Sequence, residues 1–230
     1  MTLRALANAL LSSLFEPPCA ACARALLRPL DGAVCEQCWA AVRRATPLAE
    51  QPRGHAVDWA CAVDHYDGPL RDIIHALKYQ GRRSIAQPLG GLMRERGQAL
   101  LAGADVVVPV PLHPRRERTR GFNQADDLAR QLGLPVSALL RRVKFTASQI
   151  DLPAEARHQN VRDAFGLVPP SPRLRWAGPA LRPPIPGVIV LVDDVTTTGA
   201  TLEACARVLK AGGVKEVRAL TAARVVTARR

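Results

Sequence analysis

Apolar residues along the chain fall into two patterns, continuous runs and helical repeats. The runs at 105–112 and 188–192 predict strands buried on both faces, because such strands have no polar side. The other predicted elements are strands at 60–66 and 217–221 and helices at 70–79, 85–101, 123–132 and 200–210. Strands that alternate with helices indicate an α/β fold with an open, mostly parallel sheet, whose ligands bind beyond the carboxyl ends of the strands.

The first fifteen residues predict an amphipathic helix. Leucines recur there at helical spacing, at Leu3, Leu6, Leu10 and Leu14. A secretory signal is the alternative, although no clear small-residue cleavage site follows. The uncharged run at 5–15 has eleven residues, whereas a membrane-spanning helix needs about 20. No membrane span is therefore expected.

Polar and proline-rich stretches separate these elements. The segment at 46–54 predicts a linker between a small N-terminal unit, 1–50, and a main domain, 55–230. The run at 115–120 holds four arginines and predicts a basic loop. The run at 169–187 holds seven prolines and predicts an extended excursion from the fold.

Composition excludes several classes of protein. With 230 residues, 48% apolar and 23% charged, the chain can bury a core, which excludes a disordered chain, a collagen and a coiled-coil rod. Lysine and arginine total 32 against 20 acidic residues, a net charge of +12. Such a field attracts phosphate groups, either on a small molecule or on a nucleic acid.

Four of the six cysteines form two CxxC pairs separated by twelve residues. They are Cys19, Cys22, Cys35 and Cys38. This spacing predicts a tetrahedral four-thiolate zinc site with a structural role, because no ligand position stays open for catalysis. A redox pair would need a βαβ unit that opens on the motif, and none is visible. Two disulfides in an exported domain are the remaining alternative.

The segment VIVLVDDVTTTGATL, at 188–202, carries the clearest chemistry in the chain. Two acids, Asp193 and Asp194, follow a buried strand, and Gly199 precedes a predicted helix. The glycine lets successive N–H groups turn into one concavity, at which the helix aims its positive end. This arrangement predicts a cradle for a phosphate group.

The adjacent acids would repel a phosphate alone. They fit a ligand that also presents ribose hydroxyls or brings Mg²⁺, such as a sugar 5-phosphate. A Walker-type loop is excluded, since the chain has no GxxxxGK[ST] string. The alternative is an ordinary βα turn whose acids and threonines only cap the helix.

This segment resembles the signature of type I phosphoribosyltransferases, which bind 5-phosphoribosyl-1-pyrophosphate (PRPP). Further strings resemble one family, ComF, in particular: the paired CxxC motifs, LKYQGR at 77–82, PVPLHPRRERTRGFNQ at 109–124, SQIDL at 148–152 and RHQNVRDAF at 157–165. The resemblance covers almost the whole chain. It implies a phosphoribosyltransferase-like parallel sheet flanked by helices, a zinc-ribbon-like N-terminal unit and a link to DNA uptake in competence. Apart from the resemblance, a cytoplasmic location is expected.

The resemblance also implies roles for individual residues. Asp193 and Asp194 would hold the ribose hydroxyls and orient Mg²⁺ through water. The 5-phosphate would lie on Thr196, Thr197, Thr198, Gly199, Ala200 and Thr201. The turn around Val110 would face the pyrophosphate, with positive charge from Arg115, Arg116, Arg118 and Arg120, and Lys78 and Arg82 would close the site. The candidates for catalysis are Arg116, Arg120, Asp193 and Asp194, and the mobile hood would contain Gln149, Arg157 and Asn160.

One departure from the superfamily limits the chemistry. Purine-salvage members carry an acid at the position of Thr197, and threonine is no general base at neutral pH. Transfer to a purine is therefore not expected, and catalysis would depend on Mg²⁺ and arginines that stabilise the departing pyrophosphate.

Two functions follow from the sequence. In the first, the chain binds PRPP and Mg²⁺ and transfers phosphoribose to an acceptor that the sequence does not identify. In the second, it is a non-catalytic sensor of PRPP or a nucleotide that engages single-stranded DNA or a DNA-processing protein. The arginine-rich run at 115–120 serves either function, or is only a solvated face. Turnover, the partner and the oligomeric state stay open.

Overall fold

The computed structural model describes residues 2–46, 48, 50–52, 55–144, 163–169 and 185–226. The hood candidates Gln149, Arg157 and Asn160 lie outside these residues, as does most of the proline-rich segment at 169–187.

A five-stranded sheet forms the centre of the fold. Its strands are β1 (Gln51–Pro52), β2 (Trp59–His65), β3 (Val106–Pro109), β6 (Val188–Thr196) and β7 (Glu216–Arg224). The order is β1-β2-β7-β6-β3, and every neighbouring pair is parallel except β1 with β2. A separate antiparallel pair joins β4 (Leu140–Arg142) to β5 (Phe165–Leu167). The predicted α/β fold with a mostly parallel sheet is confirmed.

Eight α-helices are present in the described ranges. They are α1 (Leu3–Phe15), α2 (Glu36–Arg44), α3 (Gly68–Tyr79), α4 (Ala86–Arg96), α5 (Gln98–Leu101), α6 (Pro114–Arg120), α7 (Gln124–Ala129) and α8 (Ala200–Ala211). Side chains of α3, α4 and α7 pack on one face of the sheet, against Val190 and Val192. Side chains of α8 pack on the other face, against Ile189 and Leu191. Helices thus cover both faces of β6.

Strand β6 is longer than the sequence predicts. The expected strand ends at residue 192, whereas the observed one continues to Thr196. Pairing with β7 is the reason, because Asp193 lies opposite Thr221 and Val195 lies opposite Ala223. Tertiary pairing thus overrides the poor strand propensity of aspartate. On the far side of β6, β3 ends at Pro109 and not at residue 112, since prolines cannot donate to the ladder.

The predicted basic loop at 115–120 is wrong, because these residues form α6. Pro114 occupies the first turn, where a missing N–H costs nothing. The His113 Nδ1 atom accepts a hydrogen bond from the Arg115 N–H over 3.1 Å and caps the helix. Gly121, with φ of +82°, ends it in the left-handed conformation. The arginines therefore project from a short helix.

The predicted helix at 85–101 is broken. A 3₁₀ turn, Arg83–Ile85, precedes α4, and Gly97 separates α4 from α5. A Cβ on Gly97 would lie 2.6 Å from a methyl carbon of Leu220 and 2.9 Å from the Met93 carbonyl oxygen. The close approach of β7 thus requires glycine here. Helix α7 is also shorter than expected, but its predicted cap is confirmed: Asn123 Oδ1 accepts from the Ala125 N–H.

The predicted N-terminal unit packs against the predicted main domain. The predicted helix at the N-terminus is confirmed as α1, which Asn8 anchors by accepting a hydrogen bond from the Leu30 N–H over 2.9 Å. Trp39 and Val42 of α2 belong to the same apolar cluster as Val63 of β2. Among the helices of the described residues, none is long and apolar enough to cross a membrane.

Candidate functional site

The two acids of the DD pair face opposite sides of the sheet. Both lie within β6, where successive side chains alternate between faces. Asp194 points toward α3 and is buried, with 3% of its surface exposed. Asp193 points toward α8 and is half-buried. The Asp194 N–H donates a 2.8 Å hydrogen bond to the side-chain oxygen Asp193 Oδ1.

Asp194 forms an ion pair with Lys78. The Lys78 Nζ atom lies 3.0 Å from Asp194 Oδ1, and 16% of the lysine side chain is exposed. Burial lowers the pKa of Lys78, but attraction to Asp194 and, more weakly, to Asp193 outweighs it, so the pKa is raised overall. The second oxygen, Asp194 Oδ2, is buried without a hydrogen-bond partner among the described residues.

Asp193 has a different environment. Desolvation and, after it, the charge of Asp194 raise the pKa of Asp193 from 3.8 to about 7. Arg142 of β4 lies on this side, and interaction with Asp193 raises the pKa of Arg142 while burial lowers it more strongly. Cys205 of α8 is fully buried here, so its pKa lies well above the usual value. One acid of the pair is thus paired with a lysine, whereas the pKa of the other is raised to about 7.

The turn between β6 and α8 has the geometry of an anion cradle. Gly199 adopts φ of +82° and immediately precedes α8, which has twelve residues. Because the first N–H groups of an α-helix have no intrahelical partner, they point out of its N-terminus toward this turn. Thr198 Oγ1 accepts a long hydrogen bond of 3.4 Å from the Ala200 N–H. Thr196 Oγ1 is buried and lacks a partner in the described part of the chain.

The turn after β3 lies beside the same end of β6. The Val110 N–H donates to the Val192 carbonyl over 2.9 Å, and Asn123 Nδ2 donates to the Val110 carbonyl over 3.1 Å. These bonds fix the predicted pyrophosphate turn against both β6 and the start of α7.

The predicted arginines differ in their burial and in their neighbours. Arg116 is half-buried and close enough to lower the pKa of Arg142, which in turn interacts with Asp193. Arg120 lies over the Tyr79 ring at 5.2 Å, and Tyr79 directly follows Lys78 in sequence. Arg115 and Arg118 are exposed on α6. Arg82 is exposed, and its role in closing the site stays a prediction.

Comparison with known proteins identifies the relatives of this chain. Residues 72–229 match the family model described as the phosphoribosyl transferase domain. The chain is 34% identical over 165 residues to Competence protein F of Haemophilus influenzae, a match that covers 67% of this chain and 68% of that one. The chain belongs to the ComF family.

Other similar proteins extend this comparison. DNA utilization protein YhgH of Salmonella typhimurium is 33% identical over 217 residues, which is 86% of each protein. Orotate phosphoribosyltransferase of Aeropyrum pernix is a solved structure with 19% identity and a TM-score of 0.35, covering 67% of this chain and 76% of that one. A likeness at that TM-score has no bearing on function.

The site of this ComF-family chain fits a magnesium-bound phosphosugar by its donor set. Carboxylate oxygens suit Mg²⁺ and ribose hydroxyls, and Asp194 Oδ2 and Thr196 Oγ1 are buried polar atoms that lack partners in the described ranges. The helix N-terminus and Gly199 suit the phosphate. Asp193, Asp194 and the Thr196–Thr201 turn would hold these groups, and Mg²⁺ when bound would neutralise charge on pyrophosphate.

The four cysteines of the ComF-family chain come together as predicted. Their Sγ atoms lie within 4.8 Å of one another. Cys19 and Cys38 are 4.0 Å apart, and Cys22 and Cys35 are 3.8 Å apart. Tetrahedral zinc with bonds of about 2.3 Å separates its sulfur ligands by about 3.8 Å. The cluster therefore fits zinc, and no disulfide forms within it.

Two sulfur atoms of this cluster accept hydrogen bonds from nearby N–H groups. Cys19 Sγ accepts from the Ala21 and Cys35 N–H groups over 3.5 and 3.3 Å. Arg24 donates to Cys22 Sγ over 3.4 Å, and this bond, followed by a backbone bond, lowers the pKa of Cys22 to about 6. Such bonds stabilise thiolates, the form in which cysteine binds metals.

Sequence reasoning missed two residues near the acids. Arg142 lies in the short strand β4 and carries no pattern that distinguishes it from its neighbour Arg141. Tyr66 directly follows β2 and interacts with Lys78 and Asp194, and burial is the main cause of its raised pKa. Its position at the carboxyl end of a predicted strand was the one available signal.

Proposed function

We propose that this protein binds PRPP together with Mg²⁺ at the carboxyl end of β6 and transfers phosphoribose to an acceptor. The observation that carries the proposal is the strand, acid pair, glycine turn and helix N-terminus of 188–202, in which two buried oxygens, Asp194 Oδ2 and Thr196 Oγ1, lack partners in the described part of the chain. A ligand with hydroxyls and a phosphate would supply partners for such atoms. The membership of the ComF family supports the same ligand.

The chemistry proposed is displacement at C1 of the ribose. The acceptor forms a bond to C1, the bond from C1 to the pyrophosphate oxygen breaks, and pyrophosphate leaves with the electron pair. Arg116 and Arg120 on α6 are the candidates for stabilising its charge. Thr197 offers no general base, so the acceptor must lose its proton easily or already be an anion. A cytoplasmic location forms part of this proposal.

The second candidate is a non-catalytic role in DNA handling. The names of two relatives, Competence protein F and DNA utilization protein, favour it. In this version the site senses PRPP or a nucleotide, and the exposed Arg115 and Arg118 contact the phosphates of single-stranded DNA or the chain engages a DNA-processing protein.

Binding is the first test of the site. We expect Asp193→Asn to weaken Mg²⁺-dependent PRPP binding at least tenfold in calorimetry, because an amide cannot supply the negative charge of the carboxylate. Asp72→Asn is the matched control, since Asp72 pairs with Arg71 on the surface of α3. Unchanged affinity in Asp193→Asn would contradict the proposed site.

Turnover distinguishes the two candidates. The protein is incubated with PRPP, Mg²⁺ and a panel of nitrogen bases and amines, and released pyrophosphate is measured. Release with one acceptor, lost in Arg116→Ala, supports the transferase. Binding of PRPP without release supports the sensor, for which the affinity for single-stranded DNA should fall steeply with salt.

A further inference from the structure

The ion pair between Lys78 and Asp194 divides the charge of the acid pair. Two adjacent carboxylates present a charge of about −2 to an incoming cation when both are ionised. The Lys78 Nζ atom lies 3.0 Å from one of them, and the two side chains are only 16% and 4% exposed. Water screens such a pair weakly, so the ammonium neutralises a large part of the field of Asp194.

The position of Lys78 is fixed by its surroundings. It lies in the last turn of α3, directly after Leu77, which is fully buried. The next residue, Tyr79, is exposed but contacts His75, with ring centroids 4.8 Å apart, and Arg120, 5.2 Å above its ring. The lysine is thus held at the acid by a packed helix rather than by a loose surface segment.

We propose that Lys78 is the internal counter-ion of the acid pair, which makes the site reject a free divalent cation and admit that cation only together with an anionic phosphosugar. This inference rests on the proposed function for the identity of the ligand. A free cation meets one neutralised acid and a nearby ammonium, which repels it. A complex of the cation with a phosphosugar still carries phosphate charge, and an ammonium with three N–H donors attracts that charge.

A direct test uses Mn²⁺ alone as the probe. Mn²⁺ prefers the same oxygen ligands as Mg²⁺, and its free concentration can be measured by electron paramagnetic resonance. We expect the full-length Lys78→Met variant to bind Mn²⁺ at least tenfold more tightly than the wild type. Lys78→Arg keeps the positive charge, so it should bind Mn²⁺ as weakly as the wild type does.

Lys210→Met is the matched control. The Lys210 Nζ atom lies 2.8 Å from Asp58 Oδ1, in a more exposed ion pair in the last turn of α8, away from the acids of β6. This variant should leave Mn²⁺ affinity unchanged. Equal Mn²⁺ affinity in wild type and Lys78→Met, or equal tightening in Lys78→Arg, would overturn the proposal.

A second readout allows for instability of Lys78→Met, in which Asp194 is buried without its partner. Lys78→Gln has no charge but can still donate a hydrogen bond to Asp194. Its thermal midpoint should rise on adding Mn²⁺ by more than the midpoint of the wild type or of Lys210→Met. An equal rise in all three proteins would contradict the role of Lys78. Because no arm uses PRPP, failure of PRPP binding would contradict the proposed function alone.

Discussion

Asp193 and Asp194 are adjacent in sequence but differ in their surroundings. Asp194 faces Lys78 at 3.0 Å, whereas desolvation and the charge of Asp194 raise the pKa of Asp193 to about 7. Strand alternation causes the difference, because it gives each carboxylate a separate side of the sheet. The signature DD is thus one buried ion pair and one acid that titrates near neutral pH.

At the residue scale, Asp193 predicts opposite pH trends for stability and for binding. Its pKa rises from 3.8 to about 7 on folding, so the folded state binds more protons between those values and the free energy of unfolding falls as pH rises through that window. Binding of a ligand that needs the ionised acid should instead strengthen as pH rises through 7.

Asp193→Asn tests both trends. In chemical denaturation from pH 4 to pH 8, the variant should lose the part of the stability slope that Asp193 contributes to the wild type. In calorimetry over the same range, the PRPP affinity that remains should depend less on pH. If the variant keeps the full change of stability with pH that the wild type shows, a group other than Asp193 causes that change.

At the element scale, replacing one glycine within α4 and one directly after it by alanine should change the free energy of unfolding in opposite directions. A Cβ on Gly97 would lie 2.6 Å from Leu220, whereas a Cβ on Gly91, within α4, meets nothing within 4 Å. We expect Gly97→Ala to lower the free energy of unfolding by about 1–3 kcal/mol through overpacking. Gly91→Ala should raise it by about 0.5–1 kcal/mol, because alanine loses less entropy in a helix.

Urea denaturation of both variants measures these changes. Equal effects in the two variants would show that the contact with Leu220 does not set the cost of a Cβ at Gly97. A stabilised Gly97→Ala would show that β7 can move away from α4, which the packing of Leu220 does not predict.

Sequence patterns predicted the elements whose cause is local. Helix α8 and the cap at Asn123 follow from spacing and capping residues, and both are confirmed. The patterns failed where a partner decides the structure. Pairing with β7 extends β6 through its acids, and Leu220 leaves little room for a Cβ at Gly97. Neither neighbour is visible from the segment itself.

The same distinction holds for the site. The acids and the glycine turn were predicted because their residue types are unusual after a buried strand. Arg142 was missed, since β4 brings it near Asp193 from about fifty positions away in sequence. The resemblance named Lys78, but its ion pair with Asp194 depends on the packing of α3 against the sheet.

At the scale of the whole molecule, Arg96 links the end of α2 to β2 of the central sheet. Its guanidinium donates to the carbonyls of Val42, Arg43 and Ala45 at the end of α2, over 2.9–3.1 Å, and to Val63 of β2 over 2.8 Å. We expect Arg96→Ala to lower the free energy of unfolding by about 1.5–3 kcal/mol, the range for hydrogen bonds to a charged group.

Arg94→Ala is the control for Arg96→Ala, because Arg94 lies on the exposed side of α4. Chemical denaturation should show a much smaller change for it. A loss in Arg96→Ala no larger than in Arg94→Ala would mean that apolar contacts alone hold α2 in place.

Zinc content and unfolding should be coupled across the whole chain. Cys19 and Cys38 belong to the same apolar cluster as Ile73 of α3 and Val190 of β6. Zinc at a four-thiolate site contributes folding free energy on the order of 10 kcal/mol, and this cluster would transmit part of it to the sheet. We therefore expect about one zinc ion per chain and a single calorimetric transition that chelation or Cys38→Ser lowers as a whole.

Metal analysis and scanning calorimetry of three proteins test this coupling. Cys61→Ser should keep its zinc, because Cys61 lies outside the cluster of sulfur atoms. Two separate transitions in the wild type, with chelation moving only the first, would mean that 1–50 and 55–230 unfold as independent domains. A single transition that shifts with zinc would mean that the metal stabilises the fold on which Lys78 and the acid pair depend.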